Sequence, residues 1–353
     1  MATLFDPITI GDLTLKNRII MAPLTRARAG GGGRVPNALM AEYYAQRASA
    51  GLILSEATAV TPQGVGYADT PGLWSDEQVE GWKQVTAAVH AKGGLIFAQL
   101  WHVGRISDPQ FLDGQAPVAP SAIAAKGHVS LLRPERPYPV PRALSTEEVV
   151  DIVAAYRKGA ENAKKAGFDG VEVHGANGYL IDQFLQDSSN LRTDQYGGPI
   201  ENRARLLLEV TDACIAVWGA NRVGMHLAPR GDAHGMGDSN PAATFGYVAR
   251  ELGQRRIAFI CAREAVGEDS LGPLLKQAFG GVYIANEKLN KDSAAQVLSE
   301  GRADAVAFGK DFISNPDLPQ RLQLDAPLNP WKMESFYGPD SVGYTDYPAL
   351  EAA

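Results

Sequence analysis

A closed barrel of eight parallel strands, each followed by a helix, is the α/β fold that this sequence predicts. Three observations predict it. Eight short apolar runs alternate with stretches of helical period along the chain. Most of those runs are continuously apolar rather than alternating, the pattern of strands covered on both faces of a parallel sheet. No GxGxxG turn follows an early strand, which sets aside an open doubly wound sheet and, with it, a tightly held nicotinamide dinucleotide. The expectation is a (β/α)8 TIM barrel in one domain over residues 1–353; such barrels run to ~250 residues and more as a single unit.

The eight strands are expected at Arg18–Leu24, Gly51–Ala57, Gly94–Leu100, Asp169–Val173, Arg222–Leu227, Arg256–Cys261, Gly281–Ala285 and Ala303–Phe308. Ser75-x-x-Gln78 and Ser145-x-x-Glu148 read as capping boxes that open two helices. The first then presents Val79, Trp82, Val85 and Val89 on one face, the second Val149, Val153, Tyr156 and Ala160. Pro199 and Pro241 stand at first helical positions, Pro241 behind the N-cap Asn240, and Gly219 ends the Glu201–Trp218 helix. Three segments fall outside the repeat. Ile8–Leu15 reads as a hairpin turned at Gly11-Asp12 that plugs the barrel bottom. His102–Ala143, with seven prolines and no helical period, reads as a long excursion after strand three that caps the site. The aromatic, Pro/Gly-rich tail from Pro327 is expected to wrap back over the barrel.

Composition narrows the partners. The chain is 45% hydrophobic and 21% charged, which excludes disordered, fibrous and disulfide-rich classes. A net charge of −7 argues against nucleic acid. Cys214 and Cys261 lie far apart without CxxC spacing, fitting reduced thiols and no zinc framework. Asp6 and Pro7 interrupt the place where a signal peptide needs its apolar run, and no stretch nears the ~18 apolar residues of a membrane span. A soluble cytoplasmic protein is expected. It would act on small molecules, as a monomer or weak homodimer; no heptad or interface motif in the sequence decides between them.

In a barrel of this kind the reacting groups come from the C-terminal ends of the strands. Those ends read Pro23-Leu24-Thr25, Glu56-Ala57, Gln99-Leu100-Trp101-His102, His174 with Asn177 and Tyr179, His226, Cys261, Ala285-Asn286 and Gly309-Lys310. Hydrogen-bonding groups dominate, and Glu56 is the one carboxylate among them, which disfavours a glycosidase pair or a Mg²⁺ site. His174 and Asn177 can donate to one acceptor oxygen, an electrophilic clamp suited to a carbonyl or nitro group. Tyr179 adds a phenol of pKa ~10, a weak acid fit to protonate a carbanion-like carbon. The same spacing also fits a strand end whose His and Asn satisfy loop backbone. Cys261 has no activating neighbour and reads as a small buried hydrophobe. His102, His128 and His234 lack metal-ligand spacing and read as loop residues.

The segments NRIIMAPLTRARA, GLILSEAT, FAQLWHVGRIS, GVEVHGANGYLIDQFLQDSSNLRTDQYGGPIENRARLLLEV, ADAVAFGKDFISNPDL and ESFYGP…GYTDYP run from residue 17 to 348. Together they resemble the old yellow enzyme family of FMN-dependent ene-reductases, in its N-ethylmaleimide reductase-like branch with Thr rather than Cys near the flavin. The resemblance implies FMN across the barrel top. Pro23, Leu24 and Thr25 would lie under the isoalloxazine ring, with the Thr25 hydroxyl on its O4 edge. Ala57 and Gln99 would contact the pyrimidine side, and Asn286, Gly309 and Lys310 would hold the phosphate. His174 and Asn177 would grip the substrate's activating oxygen, with Tyr179 as proton donor and Tyr67, Trp101 and Tyr337 as aromatic walls. Gln99, Trp101 and Tyr337 also admit plain packing roles.

The implied reaction is ping-pong. NADPH or NADH passes hydride to flavin N5 and leaves, and an electron-poor alkene then takes its place. The alkene can be an α,β-unsaturated carbonyl, a maleimide or a nitroalkene. Hydride goes from N5 to the β carbon, and Tyr179 protonates the α carbon. Two residues depart from the family. Lys310 stands where Arg is frequent, supplying charge without the bidentate fork. His226 stands where Arg faces the flavin N1/O2 edge, and an imidazole does not guarantee a cation at neutral pH. The alternatives are a flavin-binding barrel of low activity, owing to His226, or a metal-dependent hydrolase using His102, His174 and His226. The hydrolase would lack a paired HxH and carboxylate ligands.

Overall fold

The computed structural model describes residues 2–350. Eight parallel strands form its barrel: β1 Ile19–Met21, β2 Leu52–Leu54, β3 Ile96–Trp101, β4 Gly170–Gly175, β5 Val223–Leu227, β6 Phe259–Arg263, β7 Val282–Asn286 and β8 Ala305–Phe308. Each pairs with its sequence neighbours, β8 pairs with β1, and β2 pairs with β3, so no edge is left open. The fold is the (β/α)8 TIM barrel. All eight expected runs are strands, with shifted ends. β4 and β6 each run two residues further than the apolar pattern indicated, because Gly175 and Arg263 still pair in the ladder although they interrupt it.

Period two along each strand decides what enters the barrel. Ile20, Leu52, Phe97, Phe259 and Ala305 share one cluster with the hairpin residues Ile10 and Leu15. The hairpin Ile8–Ile10/Leu13–Leu15 therefore plugs the barrel floor, as expected. Phe97 and Phe259 meet at 5.9 Å between ring centroids. Gly170 and Gly224 are required opposite them, since a Cβ at either would lie 2.2–2.3 Å from a phenyl carbon.

Both capping boxes form, and Val79, Trp82, Val85 and Val89 are all buried beneath the first helix. On the second helix Ile152 is buried and Val153 only half-buried. Pro241 opens its helix behind Asn240. Pro199 instead holds the N-cap position with extended backbone, and the expected Glu201–Trp218 helix is two, Ile200–Arg203 and Arg205–Trp218, stepping at Ala204. Among the described residues no helix is long and apolar enough to cross a membrane.

The excursion after β3 covers the C-terminal mouth. Its Val103, Ile106, Ala125, Val129 and Tyr138 pack with Ala57 and Trp101 in a cluster separate from the main core. Arg192, from the NLRTDQYGG block, anchors it by donating to the carbonyls of Pro120 and Leu144. The tail docks on the loop after β1. Arg26 and Arg28 both donate to the Phe336 carbonyl, and Tyr344 stacks on Tyr43 at 4.1 Å.

Glu56, just after β2, sits wholly buried against this loop, accepting from Tyr44 Oη and the Arg26 amide. Burial raises its carboxyl from 4.5 to about 7. Between those values the folded chain holds a proton that the unfolded chain releases, so stability falls as pH rises through the window. The shift corresponds to roughly 3 kcal/mol. Glu56→Gln is expected to remove that part of the slope in denaturant unfolding between pH 5 and 7.5; an unchanged slope would place the proton elsewhere.

Candidate functional site

The HGANGYL segment leaves β4 in a turn that its own side chains hold. His174 Nδ1 accepts from the Ala176 amide at 3.3 Å, and the Gly178 amide donates to Asp182 at 2.9 Å. Asn177 and Gly178 take left-handed backbone, φ +60° and +78°. Asn tolerates this better than other side-chain-bearing residues. A Cβ on Gly178 would lie 2.8 Å from Met236. Gln183 then ties this turn to the start of the excursion by donating to the carbonyls of Gly178 and Val103.

Four of the expected site residues meet in one pocket. The Tyr179 ring lies edge-on to both His174 and Trp101 at 5.0 Å, and its hydroxyl is 2.9 Å from that of Tyr67. Tyr67 stacks on Trp101 at 5.5 Å. Asn177 is half-buried at the rim. Tyr337 lies on the tail, 45% exposed and in ring contact with none of these. Tyr138 and His234 complete the wall, His234 at 5.7 Å from Tyr138 and 6.1 Å from Tyr179. His234 is on a loop, as expected, but its ring reaches the pocket. Its position depends on two loops meeting, which no local pattern shows.

The electrostatics keep these groups neutral. His174 is 4% exposed, and burial, His226 and Arg263 together hold its imidazole well below the usual 6.5. Because Nδ1 accepts, its proton is on Nε2, which has no protein partner among the described residues. Burial raises the Tyr179 phenol above its usual 10, so it stays protonated at working pH. A neutral imidazole donor and a weak acid thus share one aromatic pocket, with Asn177 on the turn between them.

One pleat deeper, four adjacent strands form a polar layer. Glu172 accepts from Gln99 Nε2 at 2.8 Å and pairs with His226 Nδ1 at 3.2 Å. Glu172 is fully buried and His226 is 2% exposed. Glu172 lies inside β4, beneath the strand ends, so a reading confined to those ends does not include it; period two counted back from His174 turns it inward. Glu172, His226 and Cys261 offer ligand atoms within 4.8 Å of one another. His102 and His174, the expected partners of His226 in a metal site, are not among them. Burial and Glu172 push the Cys261 thiol up, in keeping with an inert side chain.

The groups expected to hold the cofactor line the barrel top. Pro23, Leu24 and Thr25 are only half-buried although they follow the buried β1. Asn286 ends β7 opposite Arg263 and is half-buried. Gly309 precedes the short helix Lys310–Ser314, whose first N–H groups have no partner within the helix. Lys310 Nζ lies 4.7 Å from the Trp331 ring centroid. Unpaired donors, one cation and a half-open apolar shelf suit a planar ring carrying a phosphate arm. Ala57 is buried, and Gln99 is held by Glu172.

Comparison with known proteins agrees with this arrangement. Residues 3–329 match the model of the NADH:flavin oxidoreductase / NADH oxidase family. The chain is 43% identical to 12-oxophytodienoate reductase 2 of Arabidopsis thaliana, over 99% of this chain and 96% of that protein. It superposes on the old yellow enzyme homologue of Zymomonas mobilis with a TM-score of 0.95 and 48% identity, covering 99% and 100% of the two chains. Morphinone reductase in complex with tetrahydroNAD matches equally well, with a TM-score of 0.95 and 49% identity over 99% and 98%.

Proposed function

The chain belongs to the NADH:flavin oxidoreductase / NADH oxidase family, the old yellow enzymes, and from that premise we propose that it is an FMN-dependent ene-reductase driven by NADPH or NADH. Its substrates are small electron-poor alkenes: α,β-unsaturated carbonyls, maleimides and nitroalkenes. The supporting observation is the pair of unpartnered donors, His174 Nε2 and Asn177 Nδ2, on the same turn as a protonated Tyr179 that packs on His174. FMN, when bound, supplies the hydride that these residues cannot. Pro23, Leu24, Thr25, Ala57, Gln99 and His226 would hold its ring, and Asn286, Gly309 and Lys310 its phosphate.

The chain's own residues do the rest. His174 and Asn177 bind the carbonyl or nitro oxygen and stabilise the negative charge it gains, as preorganised donors do in an oxyanion hole. Tyr179 gives its proton to the α carbon, and Tyr67, hydrogen-bonded to it, holds the hydroxyl in place. Trp101 and Tyr67 exclude water, while Tyr337 lines the outer wall. One domain over residues 1–353, a cytoplasmic location and a monomer or weak homodimer complete the reading. Purified protein is expected to be yellow, to bleach anaerobically with NADPH or NADH, and to recover colour on adding 2-cyclohexenone. A colourless preparation, or one that never bleaches, would overturn it.

His226, paired with Glu172, stands where the resemblance implies an Arg facing the flavin N1/O2 edge. An Arg at position 226 would carry a permanent charge at every working pH. His226→Arg is expected to raise the flavin potential and tighten FMN retention, read by a reductive titration and by the flavin content of purified protein. Identical potentials and flavin content in the two proteins would show that position 226 does not act on the flavin.

A further inference from the structure

Arg263, the last residue of β6, reaches the oxygen clamp from across a polar cavity of about 300 Å³, lined also by Arg230, Asp232, Glu287 and Lys288. Its Nη1 donates to Asn177 Oδ1 at 3.0 Å and its Nε to Glu287 Oε2 at 2.6 Å. Asn177 and Glu287 both hold positive φ, +60° and +145°. One guanidinium therefore bridges two strained residues, on the loops after β4 and β7. Strain of this kind persists only where the surroundings hold it, and it gathers at functional sites.

The chemistry of the contact is directional. A guanidinium only donates, so Asn177 must turn its oxygen toward Arg263. The amide's N–H₂ is then the end left for the pocket, and it meets no protein acceptor among the described residues. The flipped amide would set donor against donor. A cation on Oδ1 also draws electron density from the amide and makes Nδ2–H a stronger donor. Glu287 keeps the guanidinium, which is 46% exposed, from swinging away.

We propose that Arg263 is a positioning residue: it fixes Asn177 as a hydrogen-bond donor to the substrate's activating oxygen and strengthens that donor as the oxygen gains charge. The proposal rests on the ene-reductase reading above. Period two from Cys261 points Arg263 to the inner side of the strand, but its use as a bridge depends on where two distant loops lie.

The test titrates the FMN-loaded protein with 4-chlorophenol and follows the long-wavelength charge-transfer band. It compares the parent, Arg263→Ala, Asn177→Ala and the double variant. Arg263→Ala is expected to weaken binding about tenfold in the parent, with FMN content unchanged, and to add nothing in the Asn177→Ala background. Arg263→Lys, a charge without the fork, should recover part of the affinity. Equal affinity of Arg263→Ala and parent, or the same loss in both backgrounds, would overturn the proposal. So would loss of FMN from both Arg263→Ala and Arg263→Gln, which would make the residue a support of cofactor or fold. A yellow parent that gives no band at all would remove the clamp reading itself, and this inference with it.

Discussion

Tyr179→Phe is expected to slow the reduction of 2-cyclohexenone by about 10²- to 10⁴-fold, the usual worth of a positioned general acid. Flavin bleaching by NADPH should persist. The substitution deletes one oxygen and keeps the ring, so the edge-on contacts with His174 and Trp101 survive, and what is lost is the proton and its hydrogen bond to Tyr67. Burial keeps the phenol protonated throughout the working range, so the parent should show no loss of activity from Tyr179 ionising below pH 9. Nitroalkenes should suffer less, because the nitronate formed from them is stable enough to wait for a proton from water. Stopped-flow measurement of the two half-reactions separates these effects. An unchanged rate with 2-cyclohexenone would mean that another group delivers the proton.

Replacing both His174 and Asn177 with Ala is expected to abolish the charge-transfer band that an electron-poor phenol gives when its phenolate oxygen sits in the clamp. FMN should stay bound. Each donor removed from such a site costs about 10²- to 10³-fold in rate, so enone reduction should fall at least as far. The affinity of the parent for phenols should show no inflection from His174 between pH 6 and 8. Its imidazole is held well below 6.5 by burial and by the neighbouring His226 and Arg263, and so is already neutral across that range. Release of FMN from the double variant would assign the two residues to the cofactor instead.

Much of this was legible without coordinates. Continuously apolar runs mark strands covered on both faces, and eight of them with helices between close as a barrel. Ser75 and Ser145 announce their helices, because an N-cap hydroxyl and a residue at N3 satisfy each other's backbone within one turn. His174, Asn177 and Tyr179 stand within six residues of one another, so a single turn suffices to aim them at one space. Local signals predict local structure well.

The interior pairings were less accessible. Gln99, Glu172 and His226 come from three strands, and Arg263 meets Asn177 from 86 residues away. Tyr138 and His234 reach the pocket wall on loops without a period of their own. By itself the sequence determined the barrel, the floor hairpin, the capping excursion and the three side chains proposed as the clamp and its acid. Only the tertiary structure decided which polar groups satisfy one another and which are left to face the pocket. The reason is physical: strand order and register set the first, and loop backbone held at positive φ sets the second. Both are fixed only when the barrel closes, and no pattern of neighbouring residues encodes them.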